Sequence, residues 1–387
     1  MNSQKHSIQQ TLDNLDNIYD ELEVELDDNN EEGQVVKPYN PTLIRVDPKS
    51  FSLRNILDMI DEGDLDLAPD FQRMRVWSPK QKSRLIESVL LRIPLPAFYF
   101  SSDPEGYMQV VDGVQRLSTI HEFARRNGFS LQHLEYLDHE LGGRSFSDIK
   151  DSIWAKRINS TQITVNVIDP QTPTQVKFDI FKRINTGGTP LNAQEIRHCM
   201  SGNRSRELLK RLTALKSFDK ATGGRLSGHV RMADRELVLR WVSFALLKDI
   251  KDYGTGHITN LEDLLNNTAE NVDSNLSINI ESLIKDLDHS MSLAYQIFGK
   301  HAFRKWMLSH NRIFPLNKAL FEAWGVSLIK VDKDRIIHRK KEIQDAFREL
   351  CEEDYQFINS ISAGTSDPAK VRYRFSKINQ ILQPYLQ

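Results

Sequence analysis

Tyr107-Met108-Gln109-Val110-Val111, then Asp112-Gly113-Val114-Gln115-Arg116, then Leu117-Ser118-Thr119-Ile120-His121-Glu122-Phe123-Ala124: this run decides how the chain is read. The first five residues predict a strand. The last eight predict a helix, with Leu117, Ile120 and Ala124 on one face. An acid, a glycine, an amide and an arginine are packed into the turn between them. Backbone N–H groups at the start of a helix have no partner within the helix and suit an anion. Gly113 lets a ligand approach the main chain closely. Arg116 has the fork geometry that grips a phosphate through two hydrogen bonds, and Asp112 suits a metal or a water. The same five residues also fit an ordinary Asp-Gly turn before a solvated helix start.

The surrounding chain limits the alternatives. Its 387 residues suffice for two or three domains. The 39% hydrophobic and 27% charged residues fit a folded globular protein. Apolar runs such as 95–100 and 244–247 are far too short to span a bilayer. Residues 1–6 lack the apolar centre of a secretory signal. Cys199 and Cys351 are the only cysteines, which argues against a disulfide scaffold or an all-cysteine zinc site and favours the cytoplasm. Net charge is −2, unevenly spread: residues 1–33 carry ten carboxylates against Lys5 alone, leaving the rest basic. A basic body is compatible with nucleic acid or nucleotide.

Three regions follow. Residues 1–40 form an acidic leader in which Leu12, Leu15, Tyr19, Leu22 and Leu26 make one helical seam, read as a short docking helix or a disordered tail. Residues 41–200 mix strand and helix signals. Ser50 or Ser52 caps a helix carrying Leu53, Ile56, Leu57 and Ile60 before Gly63, and Ser78-Pro79 opens another. Strands are expected at 97–100, 107–111 and 163–168, a helix at 174–184, and a capping box at Asn192 and Glu195. Residues 201–387 read as helical throughout. The expected class is α+β with a mostly α-helical C-terminal domain.

Three polar clusters recur in the middle region: Asp70-Phe71-Gln72-Arg73 with Trp77, the 112–116 turn, and the stretch from Phe181 and Arg183 through Asn185-Thr186-Gly187-Gly188 to Arg197. With Ile93-Pro94-Leu95-Pro96, they make the sequence resemble the N-terminal domain of the GmrSD type IV restriction proteins, in the ParB/sulfiredoxin-like superfamily. The resemblance covers roughly residues 43–200. It implies a nucleotide-binding core, a bacterial cytoplasmic protein and defence against phage or foreign DNA. Some members hydrolyse nucleoside triphosphates and some sense modified DNA. Two departures stand out: Val114 replaces the first Gln of the usual Asp-Gly-Gln-Gln-Arg, and Arg75 stands where an aromatic is common. Many members also carry an HNH nuclease module. Ser309-His310-Asn311-Arg312 has no second histidine or flanking acid, so a partner nuclease is expected to supply cleavage.

The expected site is a phosphate cradle. Gln72, Arg73, Gly113, Arg116, Arg183, Asn185, Thr186 and Gly187 would bind nucleotide, with Asp112, Gln115 and Arg116 as catalytic residues and Asp112 as the Mg2+ ligand. Three functions stay open: an NTPase in an antiviral restriction system, a non-catalytic nucleotide or DNA sensor that recruits an effector, and a ParB-like DNA nuclease. Outside the cradle, His121 reads as solvated, Trp77 as a core anchor and Cys199 as a small buried hydrophobe. Glu195 and Arg197 divide evenly between site and structure. The basic stretch from Arg204 to Arg211 reads as a solvated helix face.

Overall fold

The computed structural model describes residues 24–25, 44–67, 77–103, 106–184, 191–224, 226, 228–229, 231–256, 258–307 and 312–385. The chain divides into two compact units, residues 37–200 and residues 201–387 with the N-terminal segment. The class is α+β.

In the first unit, five strands form one mixed sheet: β1 (Val46–Ser52), β2 (Leu65–Asp66), β3 (Phe98–Ser102), β4 (Met108–Asp112) and β5 (Gln162–Ile168). Their spatial order is β1-β5-β3-β4-β2. β1 runs antiparallel to β5, β5 parallel to β3, β3 antiparallel to β4 and β4 parallel to β2. β1 escaped the sequence reading because Val-Asp-Pro-Lys-Ser-Phe-Ser shows no alternation and contains Pro48. Both traits suit an edge strand, where one row of donors faces away from the sheet.

Helices α1 (Leu53–Glu62), α2 (Pro79–Leu90), α3 (Val114–Ala124) and α4 (Ile153–Ser160) bury one core with the sheet. Ser52 caps α1 by accepting from the Asn55 N–H, and Ser78 and Gln81 close the expected capping box on α2. Trp77 packs on this core, as expected. Helices α5 (Thr174–Ile184) and α6 (Ala193–Met200) contribute to a second, smaller core. Val110 belongs to the first core and its neighbour Val111 to the second, as the two-residue period of a strand requires.

His121 is a correction. It is buried, not solvated, and its Nε2 lies 2.8 Å from Asp61 Oδ1, while Arg125 pairs with Asp58 and Asp61. These bonds tie α3 to α1. Glu87 of α2 plays a similar part: its carboxylate accepts the backbone N–H groups of Glu135, Tyr136 and Leu137 at 2.7–3.0 Å. Burial opposes its ionisation, yet those donors prevail and hold its pKa below the ordinary value.

The second unit is helical, as expected: α7 (Asn203–Thr213), α8 (Lys216–Thr222), α9 (Ala233–Ala245), α10 (Leu261–Ser274), α11 (Ile280–Phe298), α12 (Lys318–Ser327), α13 (Lys340–Glu353), α14 (Tyr355–Ser362) and α15 (Pro368–Leu382). α9 and α12 meet closely because Gly325 has no side chain; a Cβ there would stand 2.8 Å from the Trp241 ring. Glu322 of α12 is fully buried between Arg240 of α9, at 2.9 Å, and Arg374 of α15, at 2.6 Å. Arg240 also holds Glu236 at 2.7 Å, and Lys318 reaches Glu236 at 3.1 Å. Arg204 donates to the carbonyls of Val272, Asn275 and Ile278, closing the end of α10, and Arg211 grips Glu281 through both oxygens. That basic stretch is therefore committed to the fold rather than merely solvated.

Within the leader, Val24 and Glu25 are described. They make a parallel bridge to Leu316 rather than a helical turn. The buried Glu25 carboxylate accepts from Asn317 Nδ2 at 2.7 Å and Lys305 Nζ at 3.1 Å. The residues of the expected seam, Leu12, Leu15, Tyr19, Leu22 and Leu26, lie outside the described residues. Among those described, no helix is long and apolar enough to cross a membrane.

The buried charges carry two predictions. Glu322→Ala leaves Arg240 and Arg374 buried without their shared acid, at an expected cost of about 3–5 kcal/mol, read as a lower urea midpoint. An unchanged midpoint would refute the structural role. Glu236 is the second case. Burial opposes its ionisation, but Arg240 and Lys318 pull its pKa down to about 2, below the ordinary 4.5. Its contribution is present above the unfolded pKa and lost as pH falls through the folded one. The wild-type midpoint should drop between pH 4.5 and 2. Glu236→Gln should start lower at pH 7 and drop less over that range.

Candidate functional site

The decisive turn is built where β4 hands over to α3. Between Tyr99 and Phe100 the β3–β4 register shifts: Tyr99 pairs with Asp112 but Phe100 with Val110, so Val111 is the extra residue of a bulge. A bulge bends its strand and re-aims the side chains beside it. Asp112 closes β4. Gly113 follows in the left-handed region, with φ 98°, and caps α3 without a side-chain hydrogen bond. Its carbonyl accepts the Leu117 N–H at 2.9 Å, starting the helix. A Cβ at Gly113 would run into the Phe98 ring, so this glycine is required by its conformation and by its neighbour.

Arg116 lies one turn into α3 and serves the fold. Its terminal nitrogens donate to the Pro96 carbonyl, to the Ala97 carbonyl at 3.3 Å and to Asp112 Oδ2 at 2.9 Å. Its guanidinium carbon sits 4.2 Å from the centre of the Phe98 ring. Burial lowers the Arg116 pKa, and Asp112 counteracts part of that. The arginine expected to grip phosphate thus braces the start of β3 to the start of α3. Pro96, which ends Ile93-Pro94-Leu95-Pro96, supplies one of its acceptors, a role that no residue pattern in the sequence announces.

Among the other expected site residues, Gln115 is half-buried in the first turn of α3 and Arg183 is exposed in the last turn of α5. Val111 packs with Phe178 and Phe181 of α5 and Ile196 of α6, so the third polar cluster backs onto the strand that carries Asp112. Gln72, Arg73, Asn185, Thr186 and Gly187 lie outside the described residues. Asn192 and Glu195 form the expected reciprocal cap, at 2.7 and 2.8 Å. Arg197 is buried, not on the surface; it donates to Gln194 Oε1 at 2.7 Å and stands 5.9 Å from the Phe178 ring centre. Cys199 is buried, as expected.

Sequence reading passed over Asp179 of α5. Burial raises its pKa, against the pull of Arg183 and Lys182. The visible signal was the Asp-to-Arg spacing of four residues on one helix.

Among the described residues, no group of three His, Cys, Asp or Glu side chains is placed to hold a metal ion. Asp112 alone fits the mode in which Mg2+ takes one carboxylate and completes its shell with phosphate oxygens and water.

Residues 53–200 match the family model of the GmrSD restriction endonuclease N-terminal domain. This α+β unit is a GmrSD N-terminal domain. The match opens at the first residue of α1 and closes at the last of α6, where the first compact unit also ends. A GmrSD N-terminal domain points to restriction-type defence acting on DNA. No curated protein matches the chain.

Gly113→Ala tests the geometry of this domain's turn. It imposes a left-handed backbone on a residue with a Cβ and drives that Cβ into Phe98, for an expected cost of about 2–4 kcal/mol. Hydrogen exchange should place the loss in the GmrSD N-terminal domain. Wild-type protection of β3, β4 and α3 in the variant would overturn the assignment.

Proposed function

We propose that this chain is the nucleotide-binding, NTP-hydrolysing component of a restriction-type defence system acting on DNA, with nucleotide phosphates received at the 112–116 turn. One observation carries the reading: the N-terminus of an eleven-residue helix, capped only by a glycine backbone, stands beside a carboxylate fixed in place by Arg116. Free N–H groups and the positive end of the helix dipole favour phosphate oxygens there.

The roles follow from the chemistry each residue brings. Gly113 and the first turn of α3 supply backbone donors. Asp112 gives Oδ2 to Arg116, and Oδ1 remains for a magnesium ion, which supplies neutralisation of phosphate charge when bound. Gln115 orients a water or the substrate. Gln72, Arg73, Arg183, Asn185, Thr186 and Gly187 complete the cradle in this reading. DNA and a partner nuclease are the partners proposed, in the cytoplasm.

The Arg116 brace favours a second reading, in which the site binds nucleotide without turnover and signals occupancy to a partner effector. An arginine held by two carbonyls and a carboxylate cannot swing onto a transferring phosphoryl group without leaving β3. Direct DNA cleavage by this chain has no such supporting observation.

The full-length protein should be incubated with ATP, GTP or CTP and Mg2+, with nucleotide binding and phosphate release followed separately. Asp112→Asn should reduce release about 100-fold or more while binding persists. Gln115→Ala, which leaves the brace intact, should also reduce release. Binding without release by wild type would establish the sensor. Binding of none of the three nucleotides would refute the phosphate site.

A further inference from the structure

The end of α11 gathers positive charge around an aromatic pair. After Phe298, Gly299 takes φ 56° and a single 3-10 turn, Gly299–His301, delivers the run Lys300-His301-Ala302-Phe303-Arg304-Lys305-Trp306. The His301 ring lies flat against the Trp306 indole, with centroids 4.3 Å apart and planes 2° from parallel. From α13, Arg348 places its guanidinium carbon 5.1 Å from the Trp306 ring centre. Arg304, spent on the Ala302 and Thr222 carbonyls, adds a fixed charge beside them.

The balance of charge here is unusual for this protein. Elsewhere the buried Arg240 and Arg374 share Glu322, and the neighbouring Lys305 is answered by Glu25. Among the described residues, the charged groups that bear on His301 are Lys300, Arg304 and Arg348, all of one sign. Burial first, and then these cations, lower its pKa, so the ring is held neutral among positive charges. Among the described residues, His301 Nδ1 and Arg348 Nε are buried without a hydrogen-bond partner. Like charges brought together repel, and an anion shared among them relieves the repulsion and satisfies the open donors.

We propose that Lys300, His301, Trp306 and Arg348 form a phosphate-binding site on the helical unit, separate from the 112–116 turn. Lys300 is exposed and meets the phosphate first. Arg348 and the His301 ring contact it from the half-buried floor, and Trp306 fixes the orientation of both. The natural source of the phosphate is the DNA backbone, an assignment that rests on the DNA-directed function proposed above; free phosphate is the other source of the same chemistry.

Two probes separate the sources: a 20-base-pair duplex and inorganic phosphate. Both are titrated into the full-length protein, with the His301 ring resonance and duplex affinity as readouts. Bound phosphate should raise the His301 pKa, because an anion favours imidazolium. Lys300→Gln, which alters an exposed side chain, should shrink that shift. Lys300→Gln with Arg348→Gln should weaken duplex binding several-fold and lower the slope of log K against log salt by about 1–2, near 0.9 for each phosphate no longer neutralised. If wild type binds duplex with an unmoved His301 resonance, and the variants show the same slope, the site is refuted while DNA binding stands. If phosphate moves His301 but no duplex binds, the site stands as a free-phosphate site and the DNA-directed function fails. A His301 resonance indifferent to both probes overturns the proposal.

Discussion

The brace made by Arg116 is the interaction on which the first unit's geometry turns. It joins the Pro96-Ala97 entry to β3, some sixteen residues upstream, to the end of β4 at Asp112 and the first turn of α3. Partly buried and laid over Phe98, this charge has given up much of its hydration. It is tolerable only because two carbonyls and a carboxylate replace the missing water. Those partners fix where Asp112 stands, and Phe98 in turn requires a residue without a Cβ at position 113. A pattern that looks like a ligand-binding motif is thus first a folding constraint, and whatever binds there receives a site already set.

The helical unit solves a comparable problem differently. Glu322 is surrounded by side chains rather than by main chain, and two arginines from α9 and α15 converge on it. Desolvation makes such a buried set a poor source of net stability, but its directionality fixes which faces of three helices meet. The aromatic packing around it, with Phe298 4.7 Å from Trp324 and Phe321 4.8 Å from Phe303, supplies the apolar burial.

Legibility in the sequence followed the range of the forces involved. Caps and periodic helices were visible because their signals are local: Ser52 before α1, Ser78-Pro79 before α2, and Asn192 with Glu195 on α6. β1 was hidden because an edge strand needs no apolar face, and Pro48 argues against a strand unless that edge is known. Long-range pairing was hidden as well. His121 with Asp61, and Glu87 with the backbone of residues 135–137, join positions 48–60 residues apart that no spacing rule connects. Within the half read as helical throughout, residues 335–357 are divided among separate helices, since Arg339 and Asp354 adopt non-helical backbone at the joins. At the site, residue identities were legible but their duties were not: Arg116 has the chemistry of a phosphate ligand and the contacts of a brace.

Glu25 carries one more consequence. Its bonds to Lys305 and Asn317 make the N-terminal segment part of the helical unit, although the whole GmrSD N-terminal domain intervenes in the chain. In topological terms that domain is an insertion into a discontinuous fold. A protease nick between residues 26 and 43 would therefore leave the severed N-terminal peptide held to the helical unit by the Glu25 contacts, as in a fragment-complemented protein.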